Sequence, residues 1–157
     1  TGPSDVPINA ALVSGTEYGD RNLKFGTNYR YIVRAVSLGT SGAQVESLNS
    51  NALTIAALDK FAPSAPAGVS VAPGPNRLSI FFAANPESDI AGYNIYRSTD
   101  PNLAKESWTK LTQTLLTRTT FHDERVEPGK KYYYYVTAVD NAGNTSYPSA
   151  VVEETVP

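Results

Sequence analysis

Residues 16–36 of this chain have a second copy at 119–139, an offset of 103. The ungapped match retains Thr16/Thr119, Asp20/Asp123, Gly26/Gly129, Tyr29/Tyr132, Tyr31/Tyr134, Val33/Val136, Ala35/Ala138 and Val36/Val139. Tyr18/Phe121 and Leu23/Val126 keep their character, Ile8 matches Leu111, and Leu12-Val13 matches Leu115-Leu116. Downstream, Asn51-Ala52-Leu53 resembles Ser149-Ala150-Val151 after an insertion of about five residues in the first copy. A period near 100 is the length of a domain and far too long for a solenoid repeat, so two modules stand in tandem. The second has over fifty residues between Pro66 and its repeated segment, whereas the first has 15 residues before Thr16.

Period-2 alternation runs through the second copy. Val69 and Val71 mark a first strand, Leu78, Ile80 and Phe82 a second, and Tyr93, Ile95, Tyr96 and Arg97 a third. Trp108 and Leu111 mark a short fourth and Phe121 a fifth. In a long sixth strand Tyr132, Tyr134, Val136 and Ala138 share one face, leaving Tyr133, Tyr135, Thr137 and Val139 on the other. Ala150 to Val152 supply a seventh. Turn signals at Pro73-Gly74-Pro75-Asn76, Asn85-Pro86, Pro128-Gly129 and Asn141-Ala142-Gly143-Asn144 separate them. No segment sustains helical periodicity, and the best helical turn is Asp100–Ala104, with Pro101 at a first helical position. Seven short strands in about 90 residues predict an all-β fold, a two-sheet Greek-key sandwich.

Composition narrows the chemistry. A net charge of −2 without a Lys/Arg cluster argues against nucleic acid as a partner. The absence of cysteine excludes disulfides and thiolate chemistry, and no cofactor is implied. No apolar run approaches the ~20 residues of a membrane span, and no segment reads as a signal peptide. With no methionine, the chain reads as a mature protein or a fragment of a longer one.

Several motifs carry a family resemblance. Pro63-Ser-Ala-Pro66 with Val69, Leu78-x-Ile80-x-Phe82 and Ile90-Ala-Gly-Tyr93-Asn-Ile95-Tyr96-Arg97 resemble the opening strands of a fibronectin type III module. Val126-x-Pro128-Gly129-x-x-Tyr132-x-Tyr134-x-Val136-x-Ala138-Val139 and Ser146-Tyr-Pro148-Ser149 resemble its closing half, and Leu23-x-x-Gly26-Thr27-x-Tyr29-x-Tyr31-x-Val33-x-Ala35-Val36 repeats that half. The resemblance implies an immunoglobulin-like β-sandwich. Residues 66–157 form one complete module, 59–65 a linker, and 1–58 the C-terminal half of a preceding module, strands four to seven. It further implies tyrosine corners at Tyr29 and Tyr132, each hydroxyl bonded back to the preceding loop. Phe82 stands where the family usually has Trp. The Ile90–Arg97 run and the Asp140–Asn144 loop resemble modules of bacterial extracellular proteins, which implies a secreted or cell-surface location.

The truncated first copy raises a physical problem. Tyr18, Leu23, Tyr29, Tyr31, Val33, Leu53 and Ile55 would face a sheet that is not there. At roughly 1.5–3 kcal/mol per large apolar side chain, that face forfeits on the order of 10 kcal/mol, comparable to a whole domain's stability. The missing strands are expected from an upstream polypeptide, from strand exchange with a second copy, or from a different fold of residues 1–58.

Candidate sites are few. His122, the single histidine, is read as a solvated strand residue, and Asp20 and Asp123 as turn stabilisers. Asp140, Asn141 and Asn144 offer an oxygen-rich loop with too few carboxylates for calcium, and Glu87 and Asp89 no better a set, so no metal is expected. Tyr133 and Tyr135, with Tyr96 on the neighbouring strand and Trp108 beside them, form a candidate outward aromatic face for a protein or glycan partner. The alternative is that these rings stabilise the sheet as cross-strand pairs. The leading functional expectation is a non-catalytic structural or interaction module, a spacer or adhesion segment. An accessory domain of a larger extracellular polysaccharide-active enzyme and a carbohydrate-binding module are the alternatives.

Overall fold

The computed structural model describes residues 6–157, and the chain divides into two compact units between Asp59 and Lys60. The second unit has seven strands in two sheets. To name strands in chain order, the first unit holds β1 (Thr27–Tyr31), β2 (Val36–Leu38), β3 (Gln44–Glu46) and β4 (Leu53–Ala57). The second holds β5 (Ser70–Gly74), β6 (Arg77–Phe81), β7 (Ile90–Ser98), β8 (Thr109–Lys110), β9 (Thr120–Asp123), β10 (Lys131–Asp140) and β11 (Val152–Thr155).

One sheet of the second unit runs β5-β6-β9 and the other β11-β10-β7-β8, all neighbours antiparallel. Side-chain alternation places Leu78 and Ile80 of one sheet against Ile95, Tyr134, Val136 and Ala138 of the other, each at 0% exposure. Phe82 is buried edge-on against Tyr93 at 4.7 Å, so a phenyl ring serves the core where the family usually has an indole. Leu111, Tyr132 and Val156 close the cluster. The helical turn expected at Asp100–Ala104 lies later, as a 3-10 turn at Lys105–Ser107, and the last strand starts at Val152. The segment leading into the second unit is partly packed on it. Pro63 and Pro66 are buried, and Ser64 donates its N–H and hydroxyl to Glu87 Oε1.

Two local features of this unit lead to tests. Gly92 faces Val139 beside a register shift in β10, and an added Cβ would stand 2.8 Å from the Leu116 carbonyl oxygen. That oxygen accepts the Tyr93 N–H, so the clash cannot relax without opening the Tyr93–Leu116 bridge. Gly92→Ala is expected to cost about 2 kcal/mol in urea unfolding. Glu87, held by donors from Ser64 and Asn85, has its carboxyl drawn down from 4.5 to about 2. A lowered folded-state value contributes stability that is complete above 4.5 and lost as pH falls towards 2. Glu87→Gln is therefore expected to flatten the acid limb of a stability–pH curve in that window and leave its neutral shape unchanged.

The first unit is built from two hairpins, β1–β4 and β2–β3. Its register reproduces the second unit's closing half: Asn28 faces Ala56 as Lys131 faces Thr155, and Tyr31 faces Leu53 as Tyr134 faces Val152. The Gly26 N–H donates to the Ala57 carbonyl as Gly129 does to Val156. Two serines repeat as well. Ser47 and Ser50 accept the Ala35 and Val33 N–H groups on their hydroxyls, as Ser146 and Ser149 do from Ala138 and Val136. This equivalence has an offset of 99, so the insertion is 103 − 99 = 4 residues and Ser50, rather than Asn51, corresponds to Ser149. The inserted residues lie in the β2–β3 hairpin.

Two expectations for this unit are corrected. No strand is present between residues 6 and 26, where strands four and five were expected, and the sixth is interrupted between Tyr31 and Val36. In the second unit the corresponding strands pair with β6 and β7. Without such partners the backbone has no ladder to complete on that side, while the serine bonds, common to both units, are kept. No described helix is long and apolar enough to cross a membrane.

Candidate interaction face

The outer face of β7 and β10 carries the aromatic residues singled out in the sequence. Antiparallel register sets Tyr135 opposite Tyr96, and the rings stack at 4.6 Å with an 11° interplanar angle. The segment leading into β8 then folds back over them. Trp108 meets Tyr135 at 5.1 Å, and its indole N–H donates to the Leu103 carbonyl. Lys105 Nζ sits 3.9 Å from the Trp108 ring, and its carbonyl accepts the Tyr135 hydroxyl at 3.0 Å. Burial, with Tyr96 and Glu106 nearby, pushes the Tyr135 hydroxyl up to about 12, so it remains a proton donor at neutral pH.

The outward aromatic face is accordingly corrected. Tyr135 is 3% and Trp108 5% exposed, while Tyr96 and Tyr133 are half-buried. An outward position on a strand is solvent-facing only if no loop covers it, and the Leu103–Trp108 segment does. Beside this cover lies an open groove of about 370 Å3 lined by Tyr96, Lys105, Glu106, Tyr135, Thr137, Ser146 and Pro148. Lys105 carried no periodic or motif signal in the sequence, and its position is visible only once the loop is folded.

A second cluster lies on the core side. Asp123 is 2% exposed; its Oδ2 accepts the Tyr134 hydroxyl at 3.0 Å and the Arg97 guanidinium at 2.8 Å, and its Oδ1 accepts the Arg125 N–H. Arg97 also lies 4.9 Å over the Tyr132 ring. Burial and the Asp123 charge raise the Tyr134 hydroxyl well above the ordinary tyrosine range. In the first unit Asp20 accepts the Asn22 N–H and the Tyr31 hydroxyl in the same way. The recurrence of Asp20 and Asp123 was the sequence signal for this cluster; its arginine was missed, because nothing local connects residue 97 to residue 123. Tyr132 and Tyr29 accept the N–H groups of Glu127 and Lys24, five residues upstream in each case.

His122 is exposed on β9 with Nδ1 2.9 Å from the Ser79 hydroxyl. Asp140 caps its own loop: Oδ1 accepts the Ala142 and Asn144 N–H groups and Oδ2 the Asn144 amide. Burial opposes ionisation there, but these donors outweigh it and hold the carboxyl below its usual range.

Two antiparallel sheets with a shared apolar core define the second unit as an immunoglobulin-like sandwich. No family model matches the chain. An Fn3-like protein from Clostridium thermocellum, solved by crystallography, is 32% identical, with 62% of this chain and 96% of that chain aligned at a TM-score of 0.53. The chain belongs to the fibronectin type III family. Exoglucanase B of Cellulomonas fimi is 34% identical over 148 residues, 89% of this chain. An amylopullulanase of Thermoanaerobacterium thermosulfurigenes is 38% identical over 89 residues, 56% of this chain. The chain spans 12% and 4% of the lengths of these two relatives.

Proposed function

We propose that this chain is an accessory spacer of a larger extracellular polysaccharide-active enzyme, secreted or held at the cell surface. The observation that carries the reading is the 34% identity to an exoglucanase across 89% of this chain, in a relative of which the match occupies only 12%. A similarity of that extent takes in residues of both units. The amylopullulanase similarity extends the substrate class to other glucans, so the common element is a polysaccharide-active partner domain and not one glycan. A spacer needs a lead-in that resists bending, and Pro63, Pro66 and the Ser64–Glu87–Asn85 bonds supply one at the entry to the second unit.

The test is to recover the secreted polypeptide containing tryptic peptides of this chain and assay it on soluble glucans. Hydrolytic activity on the same polypeptide is the expected result. A polypeptide made of tandem modules without hydrolase activity would favour an adhesion segment instead. Direct glycan binding by the aromatic face is disfavoured by the burial of Tyr135 and Trp108. The isolated chain is expected to migrate through glucan-containing native gels without retardation.

A further inference from the structure

Residues 61–66 belong to no strand, yet they are tied down by side chains distant in sequence. Pro63 and Pro66 fix their own backbone angles and push Ala62 and Ala65 towards extended conformations, so the strap is straight before it binds anything. At its centre Glu87 Oε1 accepts the Ser64 N–H at 2.7 Å and the Ser64 hydroxyl at 2.5 Å. The Asn85 amide donates to the Ser64 carbonyl at 2.8 Å and to Glu87 Oε2 at 3.1 Å. Two side chains of the β6–β7 loop thus hold every polar group of Ser64. At the other end the Phe61 carbonyl accepts the Asn144 amide at 3.4 Å, and Asp140 Oδ2 orients that amide from 2.8 Å. The donors to Glu87 are all uncharged; they hold it well below the usual carboxylate range, so the bonds are charge-assisted at neutral pH.

We propose that this strap is a latch on the second unit, closed by Glu87 through Ser64 and caught a second time by Asn144. Closed, it fixes the direction in which the chain enters the sandwich. Open, it releases residues 61–66 as one piece while the sandwich stays folded. The apolar core cluster contains no residue of the strap, so opening costs the strap's own bonds and the cover over two prolines, and leaves the core packing intact. The extended shape set by the prolines also means that little backbone freedom is lost each time the latch closes. The Asp140–Asn144 loop gains a role here that its oxygen-rich sequence did not suggest: Asp140 positions the amide that makes the second catch. The inference rests on the spacer reading for what a stiff or slack joint is for, and on these bonds alone for the latch itself.

Lys60 is exposed at the start of the strap, so tryptic cleavage of the Lys60–Phe61 bond reports the population of the open latch. Appearance of the fragment beginning at Phe61 would be followed by mass spectrometry, with cleavage after the exposed Arg118 of the same unit as the folding control. Glu87→Ala removes bonds at Ser64, away from the cleaved bond, and is expected to speed that cleavage by about tenfold. Asn144→Ala should speed it by about threefold, and the double variant by about the product, because both catches must open together. Ser64→Ala, at an exposed position, removes one bond and should give about threefold; it keeps the proposal open to refutation if Glu87→Ala fails to fold. Two results would overturn the latch: rates at Lys60 unchanged by Glu87→Ala and Ser64→Ala, or equal acceleration after Arg118, which would make these bonds part of the stability of the whole unit. A parent polypeptide without hydrolase activity would overturn the spacer reading and leave these rates as they are.

Discussion

Replacing Asp123 with alanine should destabilise the second unit by about 3 kcal/mol, near the lower end of the usual cost of breaking a buried ion pair. The carboxylate is 2% exposed and serves three donors, so its removal strands the Tyr134 hydroxyl in the core and leaves Arg97 without its counter-charge. Arg97 retains 19% side-chain exposure and the Arg125 carbonyl as an acceptor, which is why the lower end applies. Urea unfolding followed by the fluorescence of Trp108, the single tryptophan, reports on this unit alone. Asp20→Ala in the same chain should shift the midpoint of that transition by nothing measurable. A loss below about 1 kcal/mol for Asp123→Ala would show that water or a rearranged Arg97 replaces the carboxylate.

Trp108→Ala is expected to cost about 3–5 kcal/mol, the range for deleting a buried large aromatic side chain. Its indole covers Tyr135, holds Lys105 over its face and bonds the Leu103 carbonyl, so truncation uncovers the stacked Tyr96–Tyr135 pair as well. Tyr133→Ala, at a half-buried position opposite Ser98, should cost under about 1 kcal/mol. Far-UV circular dichroism is the appropriate probe, because the variant removes the fluorophore. Equal effects at the two positions would mean the loop does not pack as a roof and the aromatic face is open to partners after all. The contrast therefore separates a structural aromatic cluster from a binding one.

Much of the second unit was legible from residue order. Alternation of Leu78/Ile80, Tyr93/Ile95 and Tyr132/Tyr134/Val136/Ala138 named the buried face, because side chains two apart on an extended chain share a side whatever the strand pairs with. The internal repeat located both closing halves for the same reason: the tyrosines and the aspartates are local patterns that survive in each copy, whereas the serine pairs were matched only by their bonds in the structure. The strand expectations in residues 6–26 failed where the pattern was equally clear, since a strand exists only with a neighbour to bond and the counterparts of β6 and β7 are not among the described residues.

What the amino-acid sequence determined by itself was thus the family, the all-β fold and the inward face of the second unit's strands, consequences of motif, period-2 geometry and turn residues. Tertiary structure alone decided two things: that the Leu103–Trp108 segment covers Tyr135, and that Arg97 meets Asp123 across 26 residues. Each depends on which distant segments pack together, and packing partners are set by the whole fold's burial of apolar surface rather than by any local spacing.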